Sequence, residues 1–193
     1  MLRWMILGIG CLALWGSPAQ ASAEDEVARK LSNDKITVTT FPHPGSKVRW
    51  GRAETVFDVP AEAVLRVVHD YAHYAGFLPH FEASKVLSRR GNDALVYLEA
   101  KIIKRMVTVW AEMKLKSKQG EGNTTVVEGK MTKSNVDVME ARWEVTPLEG
   151  GKTRVAFQLI MDPGIPLVHN QVNYFGAKAT KETLQALAKK LGK

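Results

Sequence analysis

The segment Met106–Ser117, with the sequence MVTVWAEMKLKS, decides the fold class. Apolar side chains recur at every second position from Val107 to Leu115, and most of the intervening side chains are polar or charged. Because side chains of a β-strand alternate between the two faces of a sheet, this pattern predicts a strand with one apolar and one solvated face. Such half-solvated strands are typical of antiparallel sheets, whose apolar face needs a second layer.

Five further strand-like runs surround this segment. They cover Ser84–Ser88, Ala94–Ile103, Asn123–Thr132, Val138–Thr146 and Lys152–Met161. The breaks between them are short and rich in Gly, Asn and Asp, which favour tight turns. Short connections between alternating strands predict an antiparallel meander.

The first strand of the domain leads into a short helix. Its alternating apolar residues end at Pro60, and apolar side chains then follow helical spacing over Ala63–Val68. Asp58 stands where we expect it to cap this helix. An N-terminal arm, residues 24–47, precedes the strand and contains a short alternating run over Ile36–Thr40.

Two more segments are expected to cover the apolar face of the sheet. Tyr71–Phe81 is rich in aromatic residues, and Gly76 and Pro79 interrupt it, so we expect a second short helix followed by a loop. A long C-terminal helix is predicted from apolar residues at helical spacing. These residues are Val168, Val172, Phe175, Ala179, Leu187 and Leu191.

Several local motifs, together with the order of the elements, resemble one superfamily. The motifs are Asp58–Val64 (DVPAEAV), Asp70–Phe81 (DYAHYAGFLPHF), Ser84–Leu87 (SKVL), Trp143–Pro147 (WEVTP), Gly151–Val155 (GKTRV) and Pro163–Pro166 (PGIP). They resemble the START-like, or polyketide cyclase/dehydrase (SRPBCC), superfamily over about Trp50–Leu191, and the coenzyme Q-binding START-like branch is the nearest. The resemblance implies an α+β helix-grip fold. In that fold a curved antiparallel sheet of about seven strands wraps around a long C-terminal helix, and two short helices follow the first strand.

The resemblance also implies a cavity between sheet and helix that takes an apolar ligand. Bulky apolar or aromatic residues are the candidates to line it or its mouth. They are Phe77, Phe81, Tyr97, Val109, Met113, Met131, Trp143, Phe157, Val172 and Phe175. Any protein with a helix packed on a sheet needs similar residues for an ordinary core, so both interpretations stay open.

A metal site is the less favoured interpretation of the nearby histidines. His69 and His73 would share a helical face only if the first helix continued without a break. Asp70 between them is expected to end the helix and support the following turn. We predict neither a metal nor a cofactor.

Charged residues in the strands offer only weak candidates for acid–base catalysis. Glu99 and Glu128 lie in strands, and Arg52 and Glu54 share one face of the first strand. We interpret them as outward-facing charges paired between neighbouring strands. An enzyme of the cyclase or aromatase type acting on an apolar substrate is an alternative that rests on the resemblance alone.

The N-terminal residues predict export. Residues 1–23 combine a positive charge at Arg3, an apolar stretch over Met5–Trp15 and a small-residue stretch over Gly16–Ala21, as a cleaved secretory signal does. The apolar stretch is too short to span a bilayer. Cys11, the only cysteine, lies in this leader, so the remaining chain has no disulfide. We expect a periplasmic or secreted protein.

The charge balance narrows the choice of partners. The chain has 27 Lys and Arg against 20 Asp and Glu, a net charge of +7, but the basic residues are interleaved with acidic ones. This distribution argues against nucleic acid and is compatible with peripheral contact with an anionic membrane. We predict an exported carrier whose domain, residues 48–193, holds a lipid or other apolar small molecule. A protein-partner module that uses the Tyr71–Phe81 segment is a further alternative, and the oligomeric state is left open.

Overall fold

The structure is a computed structural model that describes residues 29–31, 35–44, 46–102, 107–164 and 169–192. The predicted signal, residues 1–23, lies outside the described residues, and the predicted arm, residues 24–47, lies partly within them. No helix in these ranges has the length and apolar character needed to cross a membrane.

Eight strands form a single antiparallel sheet. The strands are β1 (Thr37–Pro42), β2 (Arg49–Phe57), β3 (Phe81–Arg90), β4 (Asp93–Ile102), β5 (Val107–Gln119), β6 (Thr125–Ser134), β7 (Val138–Leu148) and β8 (Lys152–Asp162). Their spatial order is β1-β2-β8-β7-β6-β5-β4-β3, so strands β3 to β8 form the predicted meander and β2 closes against β8.

Helices follow β2 and β8, and residues 29–31, before β1, are also helical. The helices after these two strands are α1 (Ala61–Val68), a 3-10 helix (Tyr71–Gly76) and the long helix α2 (His169–Lys190), and a single 3-10 turn (Glu149–Gly151) joins β7 to β8. The sheet curves around α2, which packs mainly on β2 and β8. The predicted α+β helix-grip fold is confirmed. The sheet has eight strands rather than about seven because the alternating run of the N-terminal arm pairs with β2 as an edge strand.

The start of α1 differs from the prediction. Pro60 is the N-cap residue and no side chain caps the helix, so the predicted role of Asp58 is wrong. Asp58 lies two residues before the N-cap, whereas a capping side chain must stand at the N-cap itself to reach the first free N–H groups. The Pro60 carbonyl instead accepts a hydrogen bond from the Ala63 N–H at 3.0 Å.

A close backbone contact sets the position of α2 over the sheet. Gly51 of β2 faces Ala177, and a Cβ atom at Gly51 would lie 2.9 Å from the Ala177 Cα. The helix therefore touches the strand without an intervening side chain. Leu184 and Leu187, further along α2, are completely buried in the core. The contact between Gly51 and Ala177 holds the first half of α2 against β2.

Candidate ligand cavity

A small, partly open cavity lies between the concave face of the sheet, helix α2 and the loop that follows the 3-10 helix. Its volume is about 100 Å³. The sheet contributes Leu98, Ala100, Ile102, Val109, Met113, Leu115, Gly129, Met139, Ala141, Trp143, Phe157, Leu159 and Met161. Tyr74, Leu78, Pro79, His80 and Phe81 lie on the covering side, and Ala179 and Thr183 belong to α2. The lining is almost wholly apolar.

Small residues occupy paired positions in the sheet wall of the cavity. Gly129 of β6 and Ala141 of β7 are register partners and both line the cavity. Ala100 of β4 is a third small residue in the lining. A Cβ atom at Gly129 would lie 2.7 Å from Leu115 Cδ2, so Gly129 makes room for that side chain. Larger side chains at Ala100 or Ala141 would take up cavity space, since protein interiors are otherwise closely packed.

Aromatic side chains form part of the cavity wall. Trp143 and Phe157 are register partners whose ring centroids lie 4.4 Å apart. The Tyr74 hydroxyl donates a hydrogen bond to the Val68 carbonyl at 2.5 Å. Burial raises the pKa of Tyr74 well above its ordinary value. Tyr74 therefore stays neutral and engaged, which suits a wall residue better than an acid or base.

His80 and Glu182 meet where the covering loop approaches α2. His80 Nε2 lies 3.0 Å from Glu182 Oε2, and Lys178 Nζ lies 3.5 Å from the other oxygen of that carboxylate. His80 has a backbone φ of +70°, which is unfavourable for a residue with a Cβ atom. The Lys101 N–H donates to the His80 carbonyl at 2.9 Å, which anchors this turn to β4.

The structure brings half of the predicted site residues to the cavity. Phe81, Val109, Met113, Trp143 and Phe157 line it.

Three other predicted residues are inward or nearby without lining the cavity. Met131 packs against the main core, and Phe77 lines a neighbouring groove. Val172 is buried in a separate apolar cluster with Val48 and Ile160.

The remaining two predicted residues do not face the interior, and their expected orientation is wrong. Tyr97 lies on the convex face, where it stacks on Trp110 at 6.1 Å and donates to Glu99 at 2.8 Å. It falls between the buried residues Val96 and Leu98, so strict alternation along β4 places it outside. Phe175 is 40% exposed on α2. Helical periodicity could not predict the orientation of Phe175, because the contact between Gly51 and Ala177 determines which side of α2 faces the sheet.

Sequence reasoning missed most of the small and aliphatic lining residues. Alternation carried a signal for Leu115, which shares the inward face of β5 with the predicted residues Val109 and Met113. It also carried one for Leu98, which lies on the buried face of β4, opposite to the predicted Tyr97. It carried none for Gly129 or Ala141, because a small residue contributes to a cavity through the space that it leaves.

The histidines near the first helices have separate partners outside the cavity. His69 Nε2 lies 3.1 Å from Ser117 Oγ, and His73 Nδ1 lies 2.6 Å from Asp70 Oδ1. Burial and the nearby Arg89 lower the pKa of His69. Among the described residues, no group of three or more His, Cys, Asp or Glu side chains is placed to hold a metal ion.

The convex face carries the predicted charge pairs. Arg52 binds both Glu54 and Glu144 at 2.8 Å, and Arg142 links Glu144 to Glu128. Glu128 also binds Lys118 at 2.8 Å. The interpretation of Arg52, Glu54 and Glu128 as outward-facing paired charges is confirmed.

Comparisons with known proteins agree with this architecture. Residues 57–188 match the family described as polyketide cyclase / dehydrase and lipid transport. The chain belongs to this family. Every residue that lines the cavity lies within the matched range, so the family domain itself builds the cavity. A comparison with curated proteins gives no significant match.

Solved structures share the fold of this family member at low sequence identity. A STAR-related lipid transfer protein from Xanthomonas axonopodis aligns with a TM-score of 0.72 and 18% identity, over 84% of this chain and 96% of the other. Human StAR-related lipid transfer protein 5 aligns with a TM-score of 0.71 and 12% identity, over 88% and 94%. A START superfamily protein from Mycobacterium smegmatis aligns with a TM-score of 0.64 and 15% identity, over 74% and 97%.

Proposed function

We propose that this protein is a non-enzymatic carrier for a lipid or other apolar small molecule. The observation that supports this most directly is the apolar cavity beneath α2, whose lining residues all lie within the family domain. The family description includes lipid transport, and two of the similar structures are named as lipid transfer proteins. A ligand carbon surface would gain about 25 cal/mol for each Å² that it buries there.

The chemistry of the lining favours carriage over catalysis. Tyr74 and His80 are the titratable side chains among the described lining residues, and each is held by a structural partner. A general acid or base must reach the reacting atoms with a proton to exchange, and the buried Tyr74, held by its own hydrogen bond, offers none. Among the described lining residues, the His80–Glu182 pair is the one group on which a cyclase or aromatase reaction could rest.

Two finer parts of the proposal concern location. The leader, residues 1–23, would direct the protein to the periplasm or the exterior. Tyr174 and Phe175 form an exposed aromatic pair on α2, each 40% exposed, and Lys178 follows one turn later. Aromatic side chains beside basic ones suit the interface of an anionic membrane, from which a carrier would collect its ligand.

The carrier proposal is tested by identifying what copurifies with the protein and by filling the cavity. Native mass spectrometry and organic extraction of the wild-type protein are expected to detect a bound apolar molecule. Ala141→Leu places a larger side chain in the cavity wall and is expected to reduce the bound fraction more than tenfold. Ala72→Leu makes the same change on the exposed 3-10 helix and is the control.

Two results would contradict the carrier proposal. One is a wild-type protein that neither copurifies with an apolar molecule nor binds one that is added. The other is an Ala141→Leu protein that keeps its bound molecule while folded, as judged by circular dichroism. Detection of the mature N-terminus between Ser22 and Glu24 in a periplasmic or secreted fraction would support the export proposal, and an uncleaved Met1 would contradict it.

A further inference from the structure

A second hollow adjoins the cavity at Pro79. It is an open groove of about 560 Å³ between the 3-10 helix with its following loop and the last turns of α2. Its walls include Phe77 and Pro79 on one side and Gln185, Lys189 and Lys190 on the other. The groove is therefore apolar on the side of the loop and polar and basic on the side of the helix.

The groove and the cavity share a wall. Pro79 lines both hollows. His80 lines the cavity, Glu182 lines the groove, and the two side chains are joined across the boundary at 3.0 Å. On α2, Thr183 faces the cavity immediately after Glu182. A single hydrogen-bonded pair therefore crosses the boundary between two adjoining spaces.

The two hollows differ in volume, and together they offer more room for a ligand than the cavity alone. Pockets for small molecules commonly measure about 300–1,000 Å³. The cavity of about 100 Å³ is below that range, whereas the groove of about 560 Å³ is within it. The cavity alone has room for only part of a hydrocarbon chain. A chain that starts in the cavity and continues into the groove would use both volumes.

The charges in the groove indicate which end of a ligand would lie there. Neither Lys189 nor Lys190 forms an ion pair within the described part of the chain. The Glu182 carboxylate, in contrast, is engaged by His80 and Lys178. Lys189 and Lys190 also suit the negative end of the α2 dipole, a role that does not require a ligand. Their free ammonium groups nevertheless leave the groove with two uncompensated positive charges.

We infer that cavity and groove form one binding site for an anionic amphiphile. Its apolar chain lies in the cavity, its carboxylate or phosphate head lies near Lys189 and Lys190, and the His80–Glu182 pair opens to let the chain pass. This inference rests on the proposed carrier function and extends it by naming the ligand class and the route of access.

The head-group part is tested with three ligands that share a twelve-carbon chain. Dodecanoate, dodecanol and dodecylammonium are titrated into the protein below their micelle-forming concentrations, and binding is measured by calorimetry. We expect dodecanoate to bind about tenfold more tightly than dodecanol and dodecylammonium to bind most weakly. The double variant Lys189→Gln/Lys190→Gln is expected to lose the advantage of dodecanoate while binding dodecanol unchanged.

A matched control removes two lysine charges elsewhere. Lys114→Gln/Lys116→Gln alters exposed side chains of β5 on the convex face. It is expected to retain the preference for dodecanoate. Equal loss of that preference in both double variants would mean that net charge alone attracts the anion, and would overturn the groove as the head-group site.

The access route is tested by breaking the pair at the boundary. Glu182→Ala is expected to speed dodecanol association about tenfold in stopped-flow fluorescence, since a hydrogen bond that closes the passage is removed. Glu149→Ala removes an exposed carboxylate from the turn before β8 and is expected to leave the rate unchanged. Equal rates in Glu182→Ala and the wild-type protein would show that the pair is not the gate.

The outcomes separate the two proposals. Dodecanol binding without tighter dodecanoate binding would reject the anionic head group and leave the carrier function intact. Failure of all three ligands, together with the absence of any copurified apolar molecule, would reject the carrier function and with it the extended site.

Discussion

The concave and convex faces of the sheet are built from the same strands but differ in their side chains: the concave face is mainly apolar and lines a cavity, whereas the convex face carries paired charges. On β6 and β7, Gly129 and Ala141 line the cavity on the concave face, whereas Glu128 and Arg142 are register partners that point outward and bind each other. The outward charges engage one another from β5 across to β2, with contacts of 2.8 Å at both ends. Ion pairs thus connect the strands on the convex face, while the concave face has a cavity beneath α2. Ion pairs on the outer face can therefore stabilise the sheet without using the side chains of the inner face.

The carboxylates of the convex face are held in their charged form. Burial by itself would raise the pKa of Glu144, but hydrogen bonds and charges from Arg52 and Arg142 outweigh it and leave the pKa below its ordinary value. The hydrogen bond from Lys118 is the main cause that lowers the pKa of Glu128, and burial opposes it. These groups therefore tie part of the stability of the convex face to pH.

The largest expected difference between the faces comes from their tryptophans. Trp143 is 5% exposed on the concave face, and its replacement in Trp143→Ala is expected to lower the free energy of unfolding by about 3–5 kcal/mol. Trp110 stacks on Tyr97 on the convex face, and Trp110→Ala is expected to cost about 1 kcal/mol. Urea denaturation measures both. A similar decrease in the free energy of unfolding in both variants would contradict this difference, because Trp110 would then contribute as much to stability as the buried Trp143.

A smaller effect is expected at the contact that holds the helix over the concave face. Gly51→Ala puts a Cβ atom 2.9 Å from the Ala177 backbone and is expected to destabilise the protein by about 2–3 kcal/mol. Gly176→Ala is the matched control, since a Cβ there meets nothing within 4 Å. It is expected to stabilise the helix by up to about 1 kcal/mol. Destabilisation of equal size in both variants would mean that the close approach of α2 to β2 is not the cause.

The smallest expected effect is the pH dependence of the convex face. Glu144→Gln removes the carboxylate that joins Arg52 to Arg142 and is expected to cost about 1 kcal/mol at pH 7. Because the folded pKa of Glu144 is depressed, its contribution is present above the ordinary value of 4.5 and is lost as the pH falls through the folded value. Denaturation between pH 3 and 7 should therefore show a shallower acid loss in Glu144→Gln than in the wild-type protein. Glu149→Gln is the control, and the same shallower loss there would contradict the assignment to Glu144.

Local patterns were sufficient to predict most of the secondary structure and its order. Alternation along β5 and short turns between the strands predicted an antiparallel meander, which is present with its ends shifted by a few residues. These features depend on neighbouring residues and on burial of one face, so a single sequence carries them. The edge strand β1 was predicted only as a short run in an arm, because its place beside β2 depends on a distant pairing.

The candidate site was only half predictable for a related reason. Bulky residues such as Trp143 and Phe157 are recognisable in a sequence, and alternation indicates that they point inward. The small wall residues Gly129 and Ala141, by contrast, become neighbours only when β6 and β7 pair, and Gly129 makes room for the side chain of Leu115. The pairing of His80 with Glu182 likewise joins residues that are far apart in the chain.

By itself, then, the sequence determined the fold class, the alternation of apolar and charged faces and the presence of a long helix to cover the apolar one. Only the tertiary structure decided which side of α2 faces the sheet, how much space remains beneath it and where that space adjoins the basic groove. The physical reason is that periodicity is a property of neighbouring residues in one element, whereas a cavity is the volume left when several elements pack together.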